Sequence, residues 1–163
     1  MRVGFLVAAM VWCAALGSHL AWIDIRTHRL PNRLVLRLGA GLWLMLSVWL
    51  AVVAAADSPA ADGPNMAAVW FTAILALGMG VWSASSPRAV GMGDAKLLLA
   101  LAPMFAVADV TSELAAAWLV STAAVVVIWL RRLLIGVPVG APLAYGPFLL
   151  ASAPLALALS GAM

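Results

Sequence analysis

The strongest constraint in this chain is the length of its uncharged apolar runs. Six stretches are almost wholly apolar, with the charged residues gathered between them: Val3–Ile23, Leu34–Ala56, Met66–Ser83, Lys96–Ala108, Leu114–Leu130 and Leu143–Ser160. A helix that crosses about 30 Å of hydrocarbon needs about 20 such residues. Five of the runs reach or approach that length. In the fourth, only the twelve residues from Leu97 to Ala108 separate Lys96 from Asp109. A helix of that size rises roughly 18 Å. The run therefore needs Lys96 to snorkel, or an earlier start that takes in Gly91–Asp94; a mixture of the two is expected. None of the runs shows the polar–apolar alternation of a barrel strand. The expected fold is all-α, a polytopic transmembrane helix bundle of about six spans, with residues 1–163 forming one membrane-embedded domain.

Composition closes off the soluble alternatives. Of 163 residues, 66% are hydrophobic and 9% charged, whereas a soluble domain carries about 25% charged residues. Such a chain has too little polar surface to face water on all sides. The net charge of +3 could suggest a nucleic-acid partner, but the nine basic residues form no extended run, so none is expected. The single Cys13 excludes an intramolecular disulfide and a multi-cysteine zinc site, and reads as a small buried hydrophobe. Residues 1–21 have Arg2 ahead of an apolar stretch but no clear cleavage site, and read as a retained first helix.

The basic residues set an orientation. Arg26, Arg29, Arg33 and Arg37 lie between the first two spans, Arg88 and Lys96 between the third and fourth, and Arg131 and Arg132 between the last two. Only Arg2 falls on the other side. The positive-inside rule makes the eight-residue side cytoplasmic, consistent with contact to anionic lipid. Asp57, Asp62, Asp109 and Glu113 then map to the outer side, as ordinary loop acids. Asp24 and Asp94 remain, each at the cytoplasmic boundary of a span. Acids at membrane depth are costly and usually functional.

Two carboxylates a few ångströms apart cannot both ionise easily, and they share a proton. One then acts as general base on water while the other, protonated, polarises a carbonyl and protonates the leaving amine. Each acid alone also fits a plain structural role. Asp94 suits a helix N-cap, and Asp24 a helix end stopped by Pro31. Nothing else competes for chemistry. His19 and His28 lack a third donor at metal-ligand spacing, and phosphate-cradling glycine loops are missing. No metal and no cofactor is expected.

Three local patterns add specificity. Asp24-Ile-Arg-Thr-His-Arg-Leu-Pro31-Asn32 resembles the D-x6-P-N motif of the type IV prepilin peptidases. Gly91-Met-Gly93-Asp94-Ala-Lys96 resembles that family's G-x-G-D-x-K segment, and Tyr145-Gly146-Pro147-Phe148 is similar to its recurring P-[FY]-G-P-F stretch, with Ala144 in place of the first proline. The resemblance implies a membrane aspartic endopeptidase that removes the basic leader of prepilins or pseudopilins. It assigns Asp24 and Asp94 as the catalytic pair and Gly91 and Gly93 as a loop positioning the second acid. Pro31, Asn32 and Lys96 are supporting motif positions, with helix anchoring the simplest role for Lys96. Larger family members carry a cysteine-containing cytoplasmic domain and N-methylate the product. One cysteine and no sizeable inner loop point here to the peptidase-only form associated with tight-adherence (Flp-type) pili.

A different class of function also uses such acids: a small proton-coupled transporter or channel working through Asp24 and Asp94. It would place them near the bilayer midplane, at broken helices. In a Cys13→Ser background, Thr27→Cys and Met92→Cys are expected to react with an impermeant maleimide from the same membrane face. Labelling from opposite faces would separate the two acids.

Overall fold

A computed structural model describes residues 2–55, 63–85, 92–107, 110–136 and 145–159. Among them the chain forms six α-helices: α1 (Arg2–Thr27), α2 (Asn32–Ala55), α3 (Met66–Ser85), α4 (Met92–Leu101), α5 (Val110–Ile135) and α6 (Gly146–Leu159). A 3-10 segment, Ala102–Val107, continues α4. The expected all-α class holds. Helices α1, α2 and α3 are each long and apolar enough to cross a membrane, and the protein is membrane-embedded. Gly91, Ala144, Arg88, Asp57, Asp62 and Asp109 lie outside the described residues.

The side chains are arranged for a lipid surround. On α3 the large residues Trp70, Ile74, Leu77 and Val81 are exposed along one stripe, whereas Ala68, Ala73 and Ala76 are buried. A water-soluble helix would turn the large apolar residues inward. Small residues inward let helices approach closely, which favours association within lipid. Gly39 of α2 shows one such approach. A Cβ there would lie 3.0 Å from Ala100 Cβ and 3.2 Å from its Cα on α4.

Helix α4 sits at the centre, packed against α2, α3 and α6, while α1 packs on α2 and α6. Its Leu97 and Leu101 are fully buried with Leu38, Leu42 and Leu46 of α2. The fourth apolar run thus starts earlier than Lys96, at Met92, and Gly93 and Asp94 are its first helical residues after Met92. Its far half narrows because of Pro103. Proline has no N–H and its ring clashes with the carbonyl four residues back, which disrupts α-helical bonding there. The carbonyl released is that of Leu99, and Trp43 Nε1 donates to it at 3.3 Å. One Met104 contact is also polar, with the Cys13 thiol donating to its thioether at 2.9 Å.

At the end of the bundle away from Met92, Asn65 caps α3, its Oδ1 accepting from the Ala68 N–H at 3.4 Å. Its own N–H donates to Ala106 O at 2.6 Å, fastening α3 to the 3-10 segment. Glu113 corrects the sequence reading. It is no loop acid: α5 starts at Val110, and Glu113 in its first turn is buried. The charge count missed this because the apolar run begins only at Leu114. Its carboxyl bonds to the Thr72 hydroxyl of α3, which also donates to Ala68 O at 3.0 Å.

Gly39→Leu is expected to cost about 1–3 kcal/mol, because α2 and α4 have no room for the side chain. Thermal unfolding in detergent checks this. Gly78→Ala, where nothing lies within 4 Å, is the control expected to lose no stability.

Candidate active site

Asp24 lies in the last turn of α1 and is only 5% exposed. The helix closes just after it, with the His28 N–H donating to Asp24 O at 2.8 Å and the Thr27 hydroxyl donating to Ile23 O at 2.9 Å. The stop is His28, whose φ of 50° is left-handed and ends the helical run. Pro31 does not end α1, as the sequence suggested. It stands immediately before α2, where its fixed φ suits a helix start, and its carbonyl accepts from Leu34 and Val35 at 3.0 and 3.2 Å.

The second acid comes from α4. Asp94 lies in that helix's first turn and is half-buried. Gly93, expected to form a loop, is helical. Its missing side chain serves a close approach instead: a Cβ there would lie 3.3 Å from Leu30 Cβ. Lys96, one turn on, is exposed and donates from Nζ to Asn32 Oδ1 at 3.1 Å, tying α4 to the first residue of α2. Two of the supporting positions are thereby joined.

The third element is the start of α6. Tyr145 precedes it, with its carbonyl accepting from Phe148 and Leu149 at 3.0 and 3.2 Å. Its ring stacks on Phe148 at 6.0 Å, and its hydroxyl lies 3.2 Å from Ser121 Oγ of α5. The first amides of a helix have no partner within it. That of Gly146 donates to Asp24 Oδ2 at 2.9 Å, holding the carboxyl from the helix start. Leu30 is wedged between both glycines, its Cδ2 lying 3.3 Å from where a Gly146 Cβ would be.

Three segments distant in sequence, 24–32, 93–96 and 145–148, therefore converge on one end of the bundle. The α6 start that holds the buried Asp24 carboxylate and the α4 turn that carries Asp94 both approach Leu30. An open depression of about 770 Å³ borders these segments, lined by Ile23, Thr27, Arg29, Leu30, Pro31 and Asn32. Arg26, Arg29, Arg33 and Arg37 are exposed around the same end, with the Arg26 guanidinium 3.8 Å from the centre of the Trp22 ring. Among the described residues no three His, Cys, Asp or Glu side chains are grouped to hold a metal ion. Sequence reasoning quoted Gly146 as part of a motif but gave it no role, and passed over Leu30 altogether. The apolar Leu30 between two polar stretches offered no signal.

The chain matches no protein-family model, no curated protein and no solved structure.

Lys96→Met removes the bond to Asn32, yet both partners are exposed, so stability is expected to change by no more than about 0.5 kcal/mol. A larger fall in detergent melting temperature would make the bond a main fastening of α4 to α2.

Proposed function

We propose that this protein is an aspartic endopeptidase of the cytoplasmic membrane that cleaves the leader from type IV, Flp-like prepilins or pseudopilins. The observation that carries the reading is the convergence of the three motif segments, through Gly146–Asp24, Lys96–Asn32 and the Leu30 wedge. Segments tens of residues apart that resemble one family's motifs gain weight when they meet at one place.

In this reading Asp24 and Asp94 work as a pair on one water. One carboxylate takes a proton from the water as its oxygen bonds to the scissile carbonyl carbon. The partner acid gives its proton to the carbonyl oxygen. As the tetrahedral intermediate collapses, one of its hydroxyls returns a proton to the partner carboxylate, the C–N bond breaks, and the amine leaves with the proton first taken from water. No nucleophilic side chain is required. A prepilin suits this site because its leader is basic and polar while its mature start is an apolar helix. Such a substrate presents its scissile bond at the membrane boundary. The exposed arginines around Asp24, taken with the positive-inside rule, support reading that boundary as the cytoplasmic one.

The position of the acids at helix ends supports proteolysis over proton-coupled transport, for which acids near the midplane are characteristic. The test is co-expression with a Flp-type prepilin and a gel readout of its mobility. Asp24→Asn and Asp94→Asn are each expected to lower cleavage about 10²- to 10⁴-fold, the usual contribution of a general acid or base. Full cleavage by both variants would overturn the proposal. Flux through proteoliposomes that depends on Asp94, without cleavage, would favour the transporter.

A further inference from the structure

We infer that Gly146 is a positioning residue for Asp24: its main-chain N–H fixes one carboxylate oxygen, and its missing side chain is the space in which that carboxylate sits. The inference rests on the reading of Asp24 as one of the two catalytic acids.

The donor is singular in its helix turn. Residue 147 is proline and has no N–H, and the Phe148 N–H is spent on Tyr145 O at 3.0 Å. Gly146 is thus the one amide at the start of α6 directed at Asp24, at 2.9 Å from Oδ2. A hydrogen bond to an ionised acceptor is shorter and stronger than a neutral one, and here it crosses 122 residues of sequence to join α1 to α6.

The steric evidence is independent of the bond. A Cβ at position 146 would lie 2.7 Å from Asp24 Oδ2 and 3.3 Å from its Cγ, and on the other side 3.3 Å from Leu30 Cδ2. Any side chain there is pinched between the carboxylate and Leu30. Glycine is not required by backbone conformation, since no positive φ is found at 146. Alanine would favour the helix itself, so the benefit of glycine here lies at Asp24.

The experiment uses the full-length protein in detergent or liposomes with a purified prepilin. Gly146→Ala is expected to lower kcat about 10- to 100-fold, the effect of misplacing a reacting group by about 1 Å. KM should stay within about twofold, because substrate contacts are unchanged. Reaction of Asp24 with a carbodiimide and an amine, read by mass spectrometry, should rise as the carboxyl is pushed from its site. Adding Leu30→Ala to Gly146→Ala should recover part of the lost kcat, because the new methyl group can then move away from Asp24. A purely structural role predicts the reverse, the double variant being no better than the worse single one.

Wild-type kcat in Gly146→Ala, or a double variant without recovery, overturns the inference while loss of cleavage in Asp24→Asn leaves the proposed function standing. Full cleavage by Asp24→Asn overturns the inference, and full cleavage by Asp94→Asn as well overturns the proposed function.

Discussion

Hydrocarbon offers no partner to a backbone N–H or C=O, so every such group that leaves a helix must find one inside the protein. This constraint governs where the helices of this protein break and what gathers at the breaks. Pro103 releases the Leu99 carbonyl, and the Trp43 indole takes it. The start of α3 turns the Asn65 N–H to Ala106 O. The start of α6 turns the Gly146 N–H to Asp24. In each case a backbone group freed by helix geometry becomes a fixed link between elements. The site is one consequence of that rule: a helix start supplies an unspent amide, and a buried carboxylate uses it.

Close approach makes these links possible. Leu30 fits between α4 and α6 only because Gly93 and Gly146 leave room for it, and α2 meets α4 where Gly39 faces Ala100. Within lipid, apolar burial gives little net attraction between helices, and contact depends on fit and on hydrogen bonds. On α3 the large apolar side chains are accordingly spent outward, whereas α2 and α4 bury leucines in the core. A crossing closed by small residues, such as Gly39 on Ala100, tolerates little intrusion. Ends of α1, α2, α4 and α6 meet at Asp24, Asn32, Lys96 and Gly146.

Much of this was legible in the sequence. The unbroken apolar runs settle the helical class, because only helices or closed barrels satisfy their backbone in lipid and the runs lack barrel alternation. The early start of α4 follows from a run too short for the bilayer. Asp24 and Asp94 stand out because charge is costly between apolar runs. Other features were not legible. Glu113 looked like a loop acid because hydropathy begins at Leu114, and only packing against Thr72 shows it to be buried. Pro31 looked like the stop of α1, whereas the left-handed backbone of His28 ends it. Gly93 looked like a loop glycine, although its role is to admit Leu30.

By itself, then, the sequence determined the solvent of this protein, the helical class and the two acids worth watching, because hydropathy and charge are local properties that add along a chain. Tertiary structure decided what those acids touch. The bond from Gly146 to Asp24, the Lys96–Asn32 tie and the placing of Leu30 join positions from 64 to 122 residues apart in the two hydrogen bonds. Contacts of that range depend on how whole helices cross, and no pattern in one segment encodes the partner it meets in another.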